Sequence, residues 1–100
     1  MIILNQFYKM IKPLTIKSIK AAPFLLAPME DVSDLAFRMT CKFYGAGIVY
    51  TEMNHAASLV CGNERRALIS EEERPVGIQV AGKDIPEIVE AAKLLESRAD

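Results

Sequence analysis

Apolar and polar positions fall in blocks along this chain, and the period changes from block to block. Phe24-Leu25-Leu26-Ala27 is an unbroken apolar run closed by Pro28. Such a run suits a strand buried on both faces, as in a parallel sheet, and proline ends it because it has no N–H for a ladder. Leu35, Ala36, Phe37, Met39, Thr40, Phe43 and Tyr44 then predict a mostly buried helix. Ser33 is placed to cap it, Asp34 lies near its positive end, and Gly45 stops it. Ile48-Val49-Tyr50-Thr51 is β-branched and aromatic and predicts a second strand, ending in Glu52-Met53-Asn54. Ala56 to Cys61 predicts a short helix closed by Gly62-Asn63.

Residues 64–74 read as a charged loop in which Glu71-Glu72-Glu73 forms a solvated face. Val76-Gly77-Ile78-Gln79-Val80 predicts a third strand, entered through Pro75. In the last helix Asp84 and Glu87 fit a capping pair with Pro86 in the first turn. Ile85, Ile88, Val89, Ala92 and Leu95 share one of its faces. The order β-α-β-α-β-α implies an α/β fold with parallel strands and right-handed crossovers. Three units fit either a doubly wound sheet or the first part of a closed barrel, and pattern alone does not choose.

Composition narrows the class. The 100 residues are 51% hydrophobic with a formal net charge of −1, which excludes a disordered chain and gives no overall basic field for nucleic acid. Lys9, Lys12, Lys17 and Lys20 carry the first twenty residues without an acid, whereas the remainder is net acidic. Residues 1–22 are therefore read as a leader and 23–100 as the domain, with Met10 a candidate natural start. Met1-Ile2-Ile3-Leu4 is too short for a membrane or secretory segment, and its charges follow rather than precede it. Cys41 and Cys61 lack any C-x-x-C or neighbouring His, so each is expected to be a buried free thiol, in keeping with a reducing cytoplasm. No metal-ligand cluster is expected.

In parallel α/β folds the chemistry sits at the carboxyl ends of the strands. Three segments qualify: Pro28-Met29-Glu30-Asp31, Glu52-Met53-Asn54-His55 and Gln79-Val80-Ala81-Gly82. None is a phosphate loop; Gly45-x-Gly47 follows a helix and precedes a strand, the wrong context for a dinucleotide fingerprint. Met29 offers a polarisable side chain to a flat aromatic cofactor, or simply caps the core. Gln79 is a polar residue in an apolar strand, so a buried amide is expected, bonded to a ring edge or to backbone. Glu52 is a general base or, fitting better, an acceptor for loop N–H groups. His55 titrates near neutrality or is exposed and idle; Arg65 and Arg66 meet phosphate or are solvated.

Together the segments APFLLAPMEDVSDLAFRMTCKFYGAGIVYTEM and NERRALISEEERPVGIQVAGKDIPEIVEAAKLLES resemble the tRNA-dihydrouridine synthases. That family shows A-P-M, a D-x-x-F-R helix, G-A-x-x-x-x-T-E-M, and E-R-P before a strand bearing Gln. The resemblance covers residues 23–100 and implies the N-terminal part, about three β/α units, of a TIM (β/α)8 barrel. It implies FMN at the barrel mouth, contacted by Pro28, Met29 and Glu30 mainly through backbone and by Gln79 at the ring. It places Glu52, Met53 and Asn54 on the uridine side, NADPH as reductant and tRNA as partner. The family's catalytic cysteine loop lies beyond residue 100, so no catalytic residue is expected in this chain and the chain alone is expected to be inactive. Alternatives are another FMN barrel, of dihydroorotate dehydrogenase or ene-reductase type, and a non-catalytic assembly module associating through open sheet edges.

Overall fold

The computed structural model describes residues 10–100. The proposed leader therefore lies partly outside the described residues, but residues 14–21 form an antiparallel hairpin that the pattern did not foresee. Its strands are β1 (Leu14–Ile16) and β2 (Ile19–Ala21). Lys17 turns it with φ of 52°.

Beyond the hairpin the chain is α/β with parallel pairing. Leu25 bridges Ile48 in parallel, β3 (Val49–Tyr50) pairs with β5 (Val76–Gly77), and β4 (Asn54–His55) pairs with β6 (Val80–Ala81). Helix α1 (Leu35–Phe43) follows the first strand, α2 (Ala56–Val60) the second and α3 (Ile85–Leu95) the third. Two 3-10 turns, Arg65–Ala67 and Glu71–Glu73, lie in the loop before β5.

Register explains one local feature. Tyr50 pairs with Gly77 and Asn54 with Val80, so residues 51–53 face only residues 78–79. The middle strand thus carries a bulge, which splits each predicted strand in two and turns its side chains. The Thr51 hydroxyl fills the gap, accepting the Gln79 N–H at 3.3 Å and donating to the Glu52 carbonyl at 2.9 Å.

The core lies between α2, α3 and the sheet. Ala56, Leu59, Ala67, Ala91 and Leu95 are buried, with Val60, Ile78, Val80 and Ile88 packed on them. In α3 the buried stripe is Ile88-Ala91-Leu95 rather than the predicted set; Ile85 and Val89 are exposed, because the helix turns its i, i+3, i+7 row toward α2. Asp84 caps α3 by accepting the Glu87 N–H, as expected.

Two other expectations fail. Phe24 and Leu25 are exposed, not buried on both faces, since the first strand has a neighbour on one side only among the described residues. Leu35, Phe37, Phe43 and Tyr44 are also exposed, and the buried residue of α1 is Arg38. Asp34, not Ser33, is the cap, accepting the Phe37 N–H at 2.9 Å. Gly45 does end the helix, at φ of 106°. Cys41 is half-buried and Cys61 is exposed where α2 ends, so the second thiol is not the buried one expected.

Gly47 shows why the hairpin and sheet meet closely. A Cβ there would fall 1.9 Å from the Ala22 carbonyl oxygen, a backbone atom with no room to yield.

Candidate functional site

The turn after the first strand is tied down at both ends. The Ser33 hydroxyl accepts the Met29 N–H and donates to the Met29 carbonyl, both at 2.9 Å, and the Ser33 and Val32 N–H groups donate to the same carbonyl. Ser33 is fully buried for this purpose, which is why it does not cap the helix. Met29 is exposed, and with both its backbone groups engaged its side chain is the part left open to a ligand. Asp31 completes the turn in the left-handed region, at φ of 58°.

Two residues from elsewhere grip that turn. The Glu52 carboxylate, brought there by the bulge, accepts the Asp31 N–H at 2.7 Å. This is the acceptor role that fitted Glu52 better from sequence. The Arg66 guanidinium forks onto Glu30 at 2.6 Å and Asp31 at 3.1 Å. The hydrogen bond to Glu30 raises the Arg66 pKa above its ordinary value, with further attraction from Glu52, Glu30 and Asp31. Arg66 is thus neither bare nor idle, while Arg65 is exposed.

Asn54 is buried, and its amide nitrogen lies near four acceptors: the Glu52 carbonyl at 3.0 Å, the Gln79 carbonyl at 3.2 Å, the Thr51 hydroxyl at 3.3 Å and the Arg66 carbonyl at 3.5 Å. Its side chain therefore staples the strand ends together. Gln79 departs from expectation: it lies in the gap between β5 and β6 and its side chain is exposed, so no buried amide needs satisfying there.

Two clefts open on this end. One, of about 350 Å³, is lined by Glu30, Met53, Asn54, His55, Ser58, Asn63, Arg65 and Arg66. The other, of about 590 Å³, is lined by Asp31, Asp34, Leu35, Arg38, Glu52, Arg65, Arg66 and Leu68. His55 is exposed at the rim. Among the described residues no group of His, Cys, Asp and Glu is placed to hold a metal, and no helix is long and apolar enough to cross a membrane.

The family model described as dihydrouridine synthase (Dus) matches residues 25–100. The chain belongs to the tRNA-dihydrouridine synthase family. It is 36% identical over 76 residues to a probable tRNA-dihydrouridine synthase of Rickettsia prowazekii, covering 72% of this chain and 23% of that protein. A probable tRNA-dihydrouridine synthase of Aquifex aeolicus is 36% identical over 78 residues, covering 76% of this chain and 25% of that protein. The tRNA-dihydrouridine(16/17) synthase [NAD(P)(+)] of Saccharomyces cerevisiae is 34% identical over 82 residues, covering 76% and 19%. The chain thus spans about a quarter or less of the length of these relatives.

Within this member of the family, two of the family motifs meet in a buried pair that the sequence reading missed. Arg38, last of D-x-x-F-R, donates through Nε to Glu73 Oε2 at 2.8 Å and through Nη2 to Glu73 Oε1 at 3.0 Å. Glu73 opens E-R-P; instead of lying on a solvated face it is fully buried. Arg38 also holds the Ser33 carbonyl at 2.8 Å and the Leu68 carbonyl at 3.0 Å. Glu73 further accepts the Ser70 N–H in a capping box. The arginine of E-R-P, Arg74, reaches Glu71, Asp100 and the Arg98 carbonyl, fixing the entry to β5. The available signal was an arginine among apolar helix residues and an acid next to Arg-Pro; without a partner in view, Glu73 read as solvated and Arg38 received no reading of its own.

Proposed function

We propose that this chain is the N-terminal part of an FMN-binding (β/α)8 barrel that reduces the C5=C6 bond of uridine in tRNA. What carries the reading is an exposed Met29 and an exposed Gln79 at the carboxyl ends of parallel strands in a chain of this family. These two groups fit a flat heteroaromatic ring: the thioether is polarisable, and the amide both donates and accepts. Pro28 and Glu30 flank Met29, and Glu30 is held by Arg66.

When bound and reduced by NADPH, FMN supplies the hydride that goes to C6 of the uracil. The residues of this chain orient that exchange. Residues 52–54 border the uridine side; Glu52 and Asn54 are engaged within the protein, which leaves Met53, in the wall of the smaller cleft, to meet the base. The base must leave its stack to arrive there, at a cost of a few kcal/mol. Neither Cys41 nor Cys61 lines either cleft, so the acid that protonates C5 is assigned to neither. The reading places the protein in the cytoplasm with tRNA as its partner.

The test is the visible spectrum of protein expressed from its complete reading frame. Flavin absorbance that bleaches on anaerobic addition of NADPH supports the reading. Colourless protein that neither takes up FMN nor oxidises NADPH in its presence overturns it.

A further inference from the structure

Asp31 occupies the left-handed backbone region, which residues other than glycine rarely adopt, at φ of 58°, on a turn whose residues 29–32 are exposed. Something must hold it, and two groups from separate elements do. Glu52 comes from the bulge of the middle strand and accepts the Asp31 N–H at 2.7 Å. Arg66 comes from the 3-10 turn after α2 and takes the Glu30 and Asp31 carboxylates in one fork. The Asn54 amide lies near both anchors, at 3.0 Å from the Glu52 carbonyl and 3.5 Å from the Arg66 carbonyl.

We propose that Glu52 and Arg66 are positioning residues that lock the 28–33 turn, with Glu52 acting through the Asp31 N–H and not on the substrate. The inference deepens the FMN reading above and rests on it for its consequence, because the direction of the Met29 thioether is set by this turn. Three observations support it. The bulge is what carries a strand-end carboxylate across to the neighbouring turn; with even pairing its side chain would point elsewhere. A backbone N–H bonded to a carboxylate is among the stronger hydrogen bonds, and this one is short. The Arg66 fork alone, between exposed groups, holds weakly, so it needs the Glu52 bond beside it. A turn ordered before the ligand arrives spares the ligand that ordering cost.

The carboxylate is required only as an acceptor, and that separates a positioning role from a chemical one. In Glu52→Gln the amide oxygen still accepts the Asp31 N–H; in Glu52→Ala nothing does. FMN is titrated into protein from the complete reading frame and followed by quenching of flavin fluorescence. The expected result is a dissociation constant raised about tenfold or more in Glu52→Ala, from loss of a charge-assisted bond. Glu52→Gln keeps the acceptor and loses only the charge assistance, so its constant rises by a few-fold at most, well short of Glu52→Ala, and Arg66→Ala likewise falls short of Glu52→Ala. Turnover tracks flavin occupancy, so saturating FMN restores it in Glu52→Ala. Equal loss of turnover in Glu52→Gln and Glu52→Ala at full occupancy would overturn the inference, because the carboxylate itself would then be needed.

Amide exchange across residues 29–33 without ligand tests the lock separately. Protection is expected in wild type and Glu52→Gln and faster exchange in Glu52→Ala; unchanged exchange there overturns the lock. Wild-type protein that keeps this exchange pattern but never quenches flavin sinks the FMN reading and leaves the lock standing.

Discussion

Arg38 and Arg66 each meet carboxylates through a guanidinium fork, yet they sit in opposite surroundings. The Arg38–Glu73 pair is buried, with side chains 3% and 0% exposed. Arg66 is 38% exposed, and its partners Glu30 and Asp31 are 51% and 81% exposed. Burial makes the first pair unforgiving: every lone pair and N–H must be matched, and Ser33, Leu68 and Ser70 supply the remaining partners. The second pair is bathed in water and screened by salt, so it steers a turn without deciding whether the chain folds. The same chemistry thus serves the frame in one place and the mouth in the other.

The largest effect is expected from breaking the buried pair on one side. Arg38→Met strands the Glu73 carboxylate in the interior and costs roughly 3–5 kcal/mol, read as a fall in the denaturation midpoint. Adding Glu73→Leu removes the stranded charge and restores part of the loss. Full recovery is not expected, because the Ser33 and Leu68 carbonyls and the Ser70 N–H stay unpaired. If the double variant were no better than Arg38→Met, the charge account would be wrong.

Next in size is Gly47→Ala, which belongs to neither pair. Its Cβ meets the Ala22 carbonyl and forces the backbone apart, at about 1–3 kcal/mol by thermal melting, without touching the strand-end turn. Arg66→Ala is expected to leave the melting midpoint nearly unchanged while weakening FMN. A melting loss as large as that of Arg38→Met would erase the contrast between the two arginines.

The smallest expected effect sharpens the exposed side of the comparison. Glu64 is hydrogen-bonded by Arg98, at 2.6 Å and 3.2 Å, which holds its carboxyl below its ordinary value of 4.5. A lowered folded pKa means that the pair's stabilisation is complete above 4.5 and is lost as pH falls through the lower folded value. Stability curves of wild type and Glu64→Gln against pH should therefore converge in acid. Curves that stay parallel down to the acid unfolding limb would count against the pair.

Why some of this was legible in sequence and some was not follows from the range of the interactions. The Asp84 cap, the Gly45 stop and the places of the second and third strands are decided within a few residues, and pattern reading reached them. The hairpin of residues 14–21 went unseen because four lysines and scattered apolar residues leave no clean alternation. The burial of Arg38 and Glu73 was hidden because the partners lie 35 residues apart, and Glu73 looks solvated alone. The exposure of Gln79 went unforeseen for a different reason: the bulge, a register effect between strands, opens the strand where the apolar run looked continuous. At the candidate site, Met29 and Glu52 could be singled out by position at strand ends, while the ties of Arg66 became visible only with its two carboxylates beside it.

The most direct test of the account is the product. Protein from the complete reading frame is incubated with FMN, NADPH and an unmodified tRNA transcript, and the digested nucleosides are read by mass spectrometry. The account predicts a uridine that gains two hydrogens, dependent on NADPH and lost without FMN. Flavin-loaded protein that oxidises NADPH yet leaves every uridine unreduced would contradict it.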